Sequence, residues 1–126
     1  MTKEEILAME AGEELSQKVA EEIMGECYHQ HWDGDRDSID CLKCGESRFY
    51  HQRSQAYSTD ISAAWPVVER MQEDKEAFYY LELRYSRILH CWMAVFEHGN
   101  DQHEEIEGKT APEAICKAAL LAKVKQ

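Results

Sequence analysis

Between residues 27 and 45 the sequence brings together the side chains best suited to chemistry. Cys27-Tyr28-His29-Gln30-His31-Trp32 is followed, eight residues later, by Cys41-Leu42-Lys43-Cys44-Gly45. A Cys-x-x-Cys pair with a glycine behind it for the tight turn forms half of a tetrahedral zinc clip, and a Cys and a His on the incoming segment can supply the other half. In an extended segment alternate side chains share a face, which groups Cys27, His29 and His31 and turns Tyr28 and Gln30 away. The expected ligands are Cys27, His29, Cys41 and Cys44, with His31 as the alternate to His29. Such a closed site has no position for water or substrate, so it predicts a structural Zn2+ in a knuckle over 27–45 and not a catalytic metal. A disulfide or free thiols are the competing readings. No signal peptide is evident, which predicts a reducing compartment and disfavours the disulfide.

The elements that must carry this clip fit one domain over residues 1–126. No apolar run is long enough to cross a membrane. Acids outnumber bases 25 to 14, for a formal charge of −11. That field repels phosphate backbones, so nucleic acid is an unlikely partner, while a basic protein surface is a natural complement. Asp33, Asp35 and Asp37 begin like a calcium loop, but Ser38 and Cys44 stand where its glycine and closing glutamate belong.

Thr2-Lys3-Glu4-Glu5 predicts a capped helix start. Leu15, Val19 and Ile23 step by four along one face, with Gly12 breaking or bending the helix and Gly25 stopping it. Arg48-Phe49-Tyr50-His51-Gln52-Arg53 reads as a short strand leaving the knuckle. A second helix starts near Ser58-Thr59-Asp60, any of which can cap it. Ile61, Ala64, Trp65, Val68 and Met71 recur at helical spacing, which predicts a core position for Trp65, and Pro66 predicts a kink. Phe78 to Tyr85 and Ile88 to Phe96 read as an antiparallel pair turning at Ser86-Arg87. Both strands carry apolar residues on both faces, which predicts cover on both faces: an α+β fold, a three-layer α-β-α sandwich around a small antiparallel sheet, with the zinc knuckle inserted after the first helix. Glu104 to Glu107 adds a short edge strand. Thr110-Ala111-Pro112-Glu113 caps a last helix with Ile115, Ala118, Ala119, Leu121 and Ala122 on its packing side. Cys91 and Cys116 fit that interface as small apolar residues.

Two blocks, Tyr57-Ser58-Thr59-Asp60-Ile61-Ser62-Ala63-Ala64-Trp65 with Val67-Val68-Glu69, and Thr110-Ala111-Pro112-Glu113-Ala114-Ile115-Cys116-Lys117-Ala118-Ala119-Leu120-Leu121-Ala122, resemble the signature blocks of the phage ABA sandwich domain family. Glu4 to Leu7 and Val19 to Gly25 fit as well, so the resemblance spans most of the chain. It implies an α-β-α sandwich encoded by a bacteriophage or prophage and acting in the host cytoplasm. It implies no activity, and the zinc expectation rests on spacing and not on the family.

Motifs for catalysis are missing. His29 lacks the following x-Glu of a zinc deaminase, and His103-Glu104-Glu105-Ile106-Glu107 lacks the second His of a zincin. Nor is there a phosphate loop or nucleophile elbow. The expectation is a non-enzyme that binds a host protein, with interference in host defence as the role. The alternative is sequestration of a nucleotide-derived signalling molecule, for which Arg48, Arg53, Arg84 and Arg87 with nearby tyrosines are the candidate contacts, possible across a homodimer interface. A zinc-ribbon nucleic-acid binder is the third reading, supported by Lys43, Arg48 and Arg53 and opposed by the net charge.

Overall fold

The computed structural model describes residues 2–25, 56–74, 79–97 and 104–124. The knuckle 27–45, with its Cys27, His29, His31, Cys41 and Cys44, lies outside the described residues, as do Arg48 and Arg53. In chain order the elements are α1 (Lys3–Ala8), α2 (Glu13–Glu22), α3 (Ile61–Gln72), β1 (Tyr80–Ser86), β2 (Cys91–Glu97), β3 (Ile106–Gly108) and α4 (Ala111–Val124).

Local chemistry sets most helix ends. The Thr2 hydroxyl accepts the Glu5 N–H at 3.2 Å, and the Asp60 carboxylate accepts the Ser62 N–H at 2.9 Å. Each offsets an amide of the first turn that has no helical partner. Gly12 separates α1 from α2 at φ 149, where a Cβ would be strained. Gly25, at φ 66, follows the end of α2.

The sheet is antiparallel, in the order β1-β2-β3. Register runs from Tyr80 opposite Glu97 to Ser86 opposite Cys91, and then from Trp92 opposite Gly108 to Ala94 opposite Ile106. Period two therefore sorts Leu81, Leu83, Ala94, Phe96 and Ile106 onto one face, and all of them lie in or against the main hydrophobic cluster. Opposite lie Glu82, Arg84, Cys91, Met93, Val95 and Glu107.

Helix α4 is the centre of the molecule. Every residue from Ala111 to Leu121 is buried. It packs on β2 and β3 by one side and on α1, α2 and α3 by the others, so the layers met in the described residues are sheet, α4 and outer helices. Gly108 permits the close approach: a Cβ there would stand 2.4 Å from the Ala114 amide nitrogen.

The fold is α+β with an antiparallel sheet packed against helices, as expected, and Cys91, Met93 and Val95 on the opposite sheet face are buried too. Two details of the sequence reading need correction. Trp65 is not a core residue: it is 51% exposed and Ile61 47%, while Ala63, Ala64, Val67, Val68 and Met71 are buried. The small side chains of that second stripe let α3 settle closely on α4. The β1–β2 turn occupies residues 87–90 instead of Ser86-Arg87, because Ser86 still pairs with Cys91 and the Ser86 hydroxyl accepts the Leu89 N–H at 3.2 Å. His90 closes the turn at φ 54.

Candidate binding surface

Two of the four arginines expected to contact a ligand fall within the described residues, and they differ. Arg84 reaches from β1 to Glu105, just ahead of β3, with Nε–Oε2 at 2.8 Å and Nη2–Oε1 at 3.4 Å. This fork-on-carboxylate contact crosses the central strand and helps cover Met93 and Val95. Arg84 is thus engaged within the chain. Arg87 sits exposed in the turn, with no partner among the described residues.

The turn also displays Ile88, 90% exposed, and Leu89, 56% exposed. Behind them Tyr85 and Trp92 face each other across the ladder, ring centroids 5.5 Å apart and edge to face. Such aromatic geometry stiffens the hairpin. Sequence reasoning assigned Ile88 and Leu89 to a buried strand; their apolar character pointed inward, and only the four-residue turn shows otherwise.

These groups lie at one end of the molecule. Lys123 bonds Asp74 at 2.9 Å and sits over the Tyr79 ring at 5.3 Å, so the C-terminal ends of α3 and α4 and the start of β1 meet at the other end. Since β1 leads away from that end and α3 leads into it, both the turn and the first turns of α3 lie away from it.

Elsewhere the described surface is poorly suited to an anionic ligand. Of the charged side chains lining the open depression along α1 and α2, Glu5, Glu10, Glu13 and Glu14 outnumber Lys18. A cavity of about 20 Å³ beneath Val95, Phe96 and Ile106 has room for a single water. Among the described residues no group of three or more His, Cys, Asp or Glu could hold a metal ion. No described helix is long and apolar enough to cross a membrane.

Titratable groups near these features are held by their neighbours. The Tyr80 hydroxyl donates to Glu97 at 2.8 Å, and this bond, with burial and nearby carboxylates, raises its pKa. Burial pushes the Cys116 thiol far up, and its Sγ donates to the Tyr57 carbonyl at 3.2 Å, which makes it inert packing and not a nucleophile. Burial likewise raises Cys91, with Glu107 adding to the shift.

The phage ABA sandwich domain model matches residues 17–120. This chain belongs to the phage ABA sandwich domain family. A phage protein from Bacillus cereus ATCC 14579 has a similar structure, with a TM-score of 0.61 and 23% identity over 90% of this chain and 91% of that one, a likeness of fold alone. No curated protein matches.

Within this phage ABA sandwich protein the two signature blocks prove to be architectural. Ser58 is fully buried: its hydroxyl donates to the Gly12 carbonyl at 2.9 Å and accepts the Gly12 N–H at 2.9 Å, while its own N–H donates to Ser16 Oγ at 3.1 Å. The two serine hydroxyls are 2.8 Å apart. This latch fastens the α1–α2 break to the entry of α3. In the second block the Thr110 hydroxyl accepts the Glu113 N–H at 3.3 Å, and buried Lys117 bonds Glu113 at 2.9 Å and the Leu7 carbonyl at 3.3 Å. An i,i+4 Glu–Lys pair inside an otherwise apolar helix was the signal for that ion pair, and sequence reasoning passed over it.

Proposed function

We propose that this protein is a non-enzymatic phage accessory protein that acts by binding a host protein and interfering with it, defence being the natural target. The observation that carries this reading is the apolar end. Ile88 and Leu89 occupy a turn where polar residues are usual, and both are exposed. In a molecule of formal charge −11, that end fits a partner with an apolar pocket inside a basic rim. A structural Zn2+ on Cys27, Cys41, Cys44 and either His29 or His31 belongs to the same proposal and is supported by the ligand spacing.

Native mass spectrometry of protein from host cells tests the reading in one measurement. The expected spectrum carries one zinc per chain and a co-purified protein that is lost from Ile88→Asn/Leu89→Asn and weakened by salt. A retained nucleotide with no protein would replace it with sequestration, in which exposed Arg87 would be the first contact to test. A partner that survives the double substitution unchanged would move the surface elsewhere.

A further inference from the structure

Strand β1 is an edge of the described sheet: β2 lies on one side and no described strand on the other. An open edge is a template for another strand, and natural proteins usually blunt it with proline, a bulge, charged side chains or a covering segment, though charges of opposite sign can also pair with those of a second copy. Here the edge reads Tyr80-Leu81-Glu82-Leu83-Arg84-Tyr85-Ser86. It has no proline, its ladder to β2 runs without a bulge, and its two exposed charges are opposite in sign.

We propose that this edge pairs with the same edge of a second copy, antiparallel and centred on Leu83, giving a continuous six-stranded sheet with two-fold symmetry. Register decides the matter. For the faces of the two sheets to continue, odd residues must stand opposite odd ones and even opposite even. Centring on Glu82 would set Glu82 against Glu82 of the copy, and centring on Arg84 would set Arg84 against Arg84, both repulsive. Centring on Leu83 sets Glu82 against Arg84 and Arg84 against Glu82. It also sets Leu81, half-buried on the helix-bearing face, against Tyr85, which is 49% exposed. The contact to Glu105 turns the Arg84 guanidinium over β2, so what this register secures above all is that like charges do not meet. The 87–90 turns of the two copies would point to opposite ends of the joined sheet, so each apolar end stays available.

A seven-residue edge per copy makes a small interface, so dimerisation should depend on concentration. Sedimentation velocity over a concentration series, on the full chain, is the test. Wild-type protein is expected to dimerise. Glu82→Arg and Arg84→Glu, the latter with Glu105→Arg to keep the intrachain pair, each place like charges in register and should weaken the dimer about tenfold or more. Mixed one to one, the two variants again face opposite charges and should form heterodimers in preference to either homodimer. Thermal unfolding of each variant separates lost pairing from lost folding. A wild-type monomer at high concentration, variants that dimerise like wild type, or a mixture that forms no heterodimer would each overturn the proposal.

Discussion

Ser58 does more for this molecule than its size suggests. Its hydroxyl meets both backbone groups of Gly12 in a partly buried site and lies beside Ser16, where both serines are buried. Polar groups in such a place contribute modestly when paired and cost heavily when stranded. Ser58→Ala would strand the Gly12 N–H, while the Gly12 C=O keeps the Ser16 N–H at 3.0 Å. We expect a loss of about 1–2 kcal/mol, read as a lower urea midpoint at unchanged slope. A loss below about 0.5 kcal/mol would mean that water or a local shift repairs the latch. The signature serine is therefore conformational. So is Asp60, which starts α3, and so is Cys116, whose thiol is locked on the Tyr57 carbonyl.

At the scale of elements, β3 and α4 approach each other closely at Gly108. Gly108 lies against the backbone of Ala114, and a methyl group there would meet its nitrogen at 2.4 Å and its Cα at 2.8 Å. Backbone cannot yield as a side chain tip can, so α4 itself would have to move. Gly108→Ala should cost about 2 kcal/mol or more, measured by thermal or urea unfolding. Adding Ala114→Gly should fail to rescue it, because the clash is with main-chain atoms. Full rescue would show that the Ala114 methyl is the obstacle and that the helix sits farther away. Helix α3 illustrates a different choice between elements. It has two stripes at i,i+4 spacing, Ile61 with Trp65 and Ala63 with Val67, and the smaller one is buried. The larger is left at the surface.

For the whole molecule the excess of carboxylates is the dominant electrostatic fact. The described ion pairs Lys3–Glu104, Arg70–Glu73 and Arg84–Glu105 are largely exposed and offset little of it. Lys117–Glu113 is the buried exception. Self-repulsion of like charges should thus outweigh attraction, and screening should help the folded state. Raising sodium chloride from low to near-physiological levels is expected to increase Tm by roughly 2–5 °C, an effect of about 1 kcal/mol or less. A fall in Tm with salt would mean that the pairs contribute more than the repulsion costs. The same screening weakens a complex held by a basic rim, so binding and stability should respond to salt in opposite directions.

The fold class, the break at Gly12, the caps at Thr2, Asp60 and Thr110 and the existence of the β1–β2 hairpin were legible in the sequence by itself, because each depends on a few neighbouring residues and on bonds closed within a turn. The proposed zinc ligands Cys27, His29, His31, Cys41 and Cys44 and the candidate contacts Arg48 and Arg53 were legible only as types and spacing, and they lie outside the described residues. Only the tertiary structure decided which stripe of α3 faces inward, where the hairpin turns, that α4 lies between sheet and helices, and that Arg84 answers to Glu105. Periodicity offers candidate faces, but close packing on α4 selects the one with small side chains and leaves Trp65 outside. Side chains as long as those of Arg84 and Glu105 find each other across a strand that only the assembled sheet puts between them.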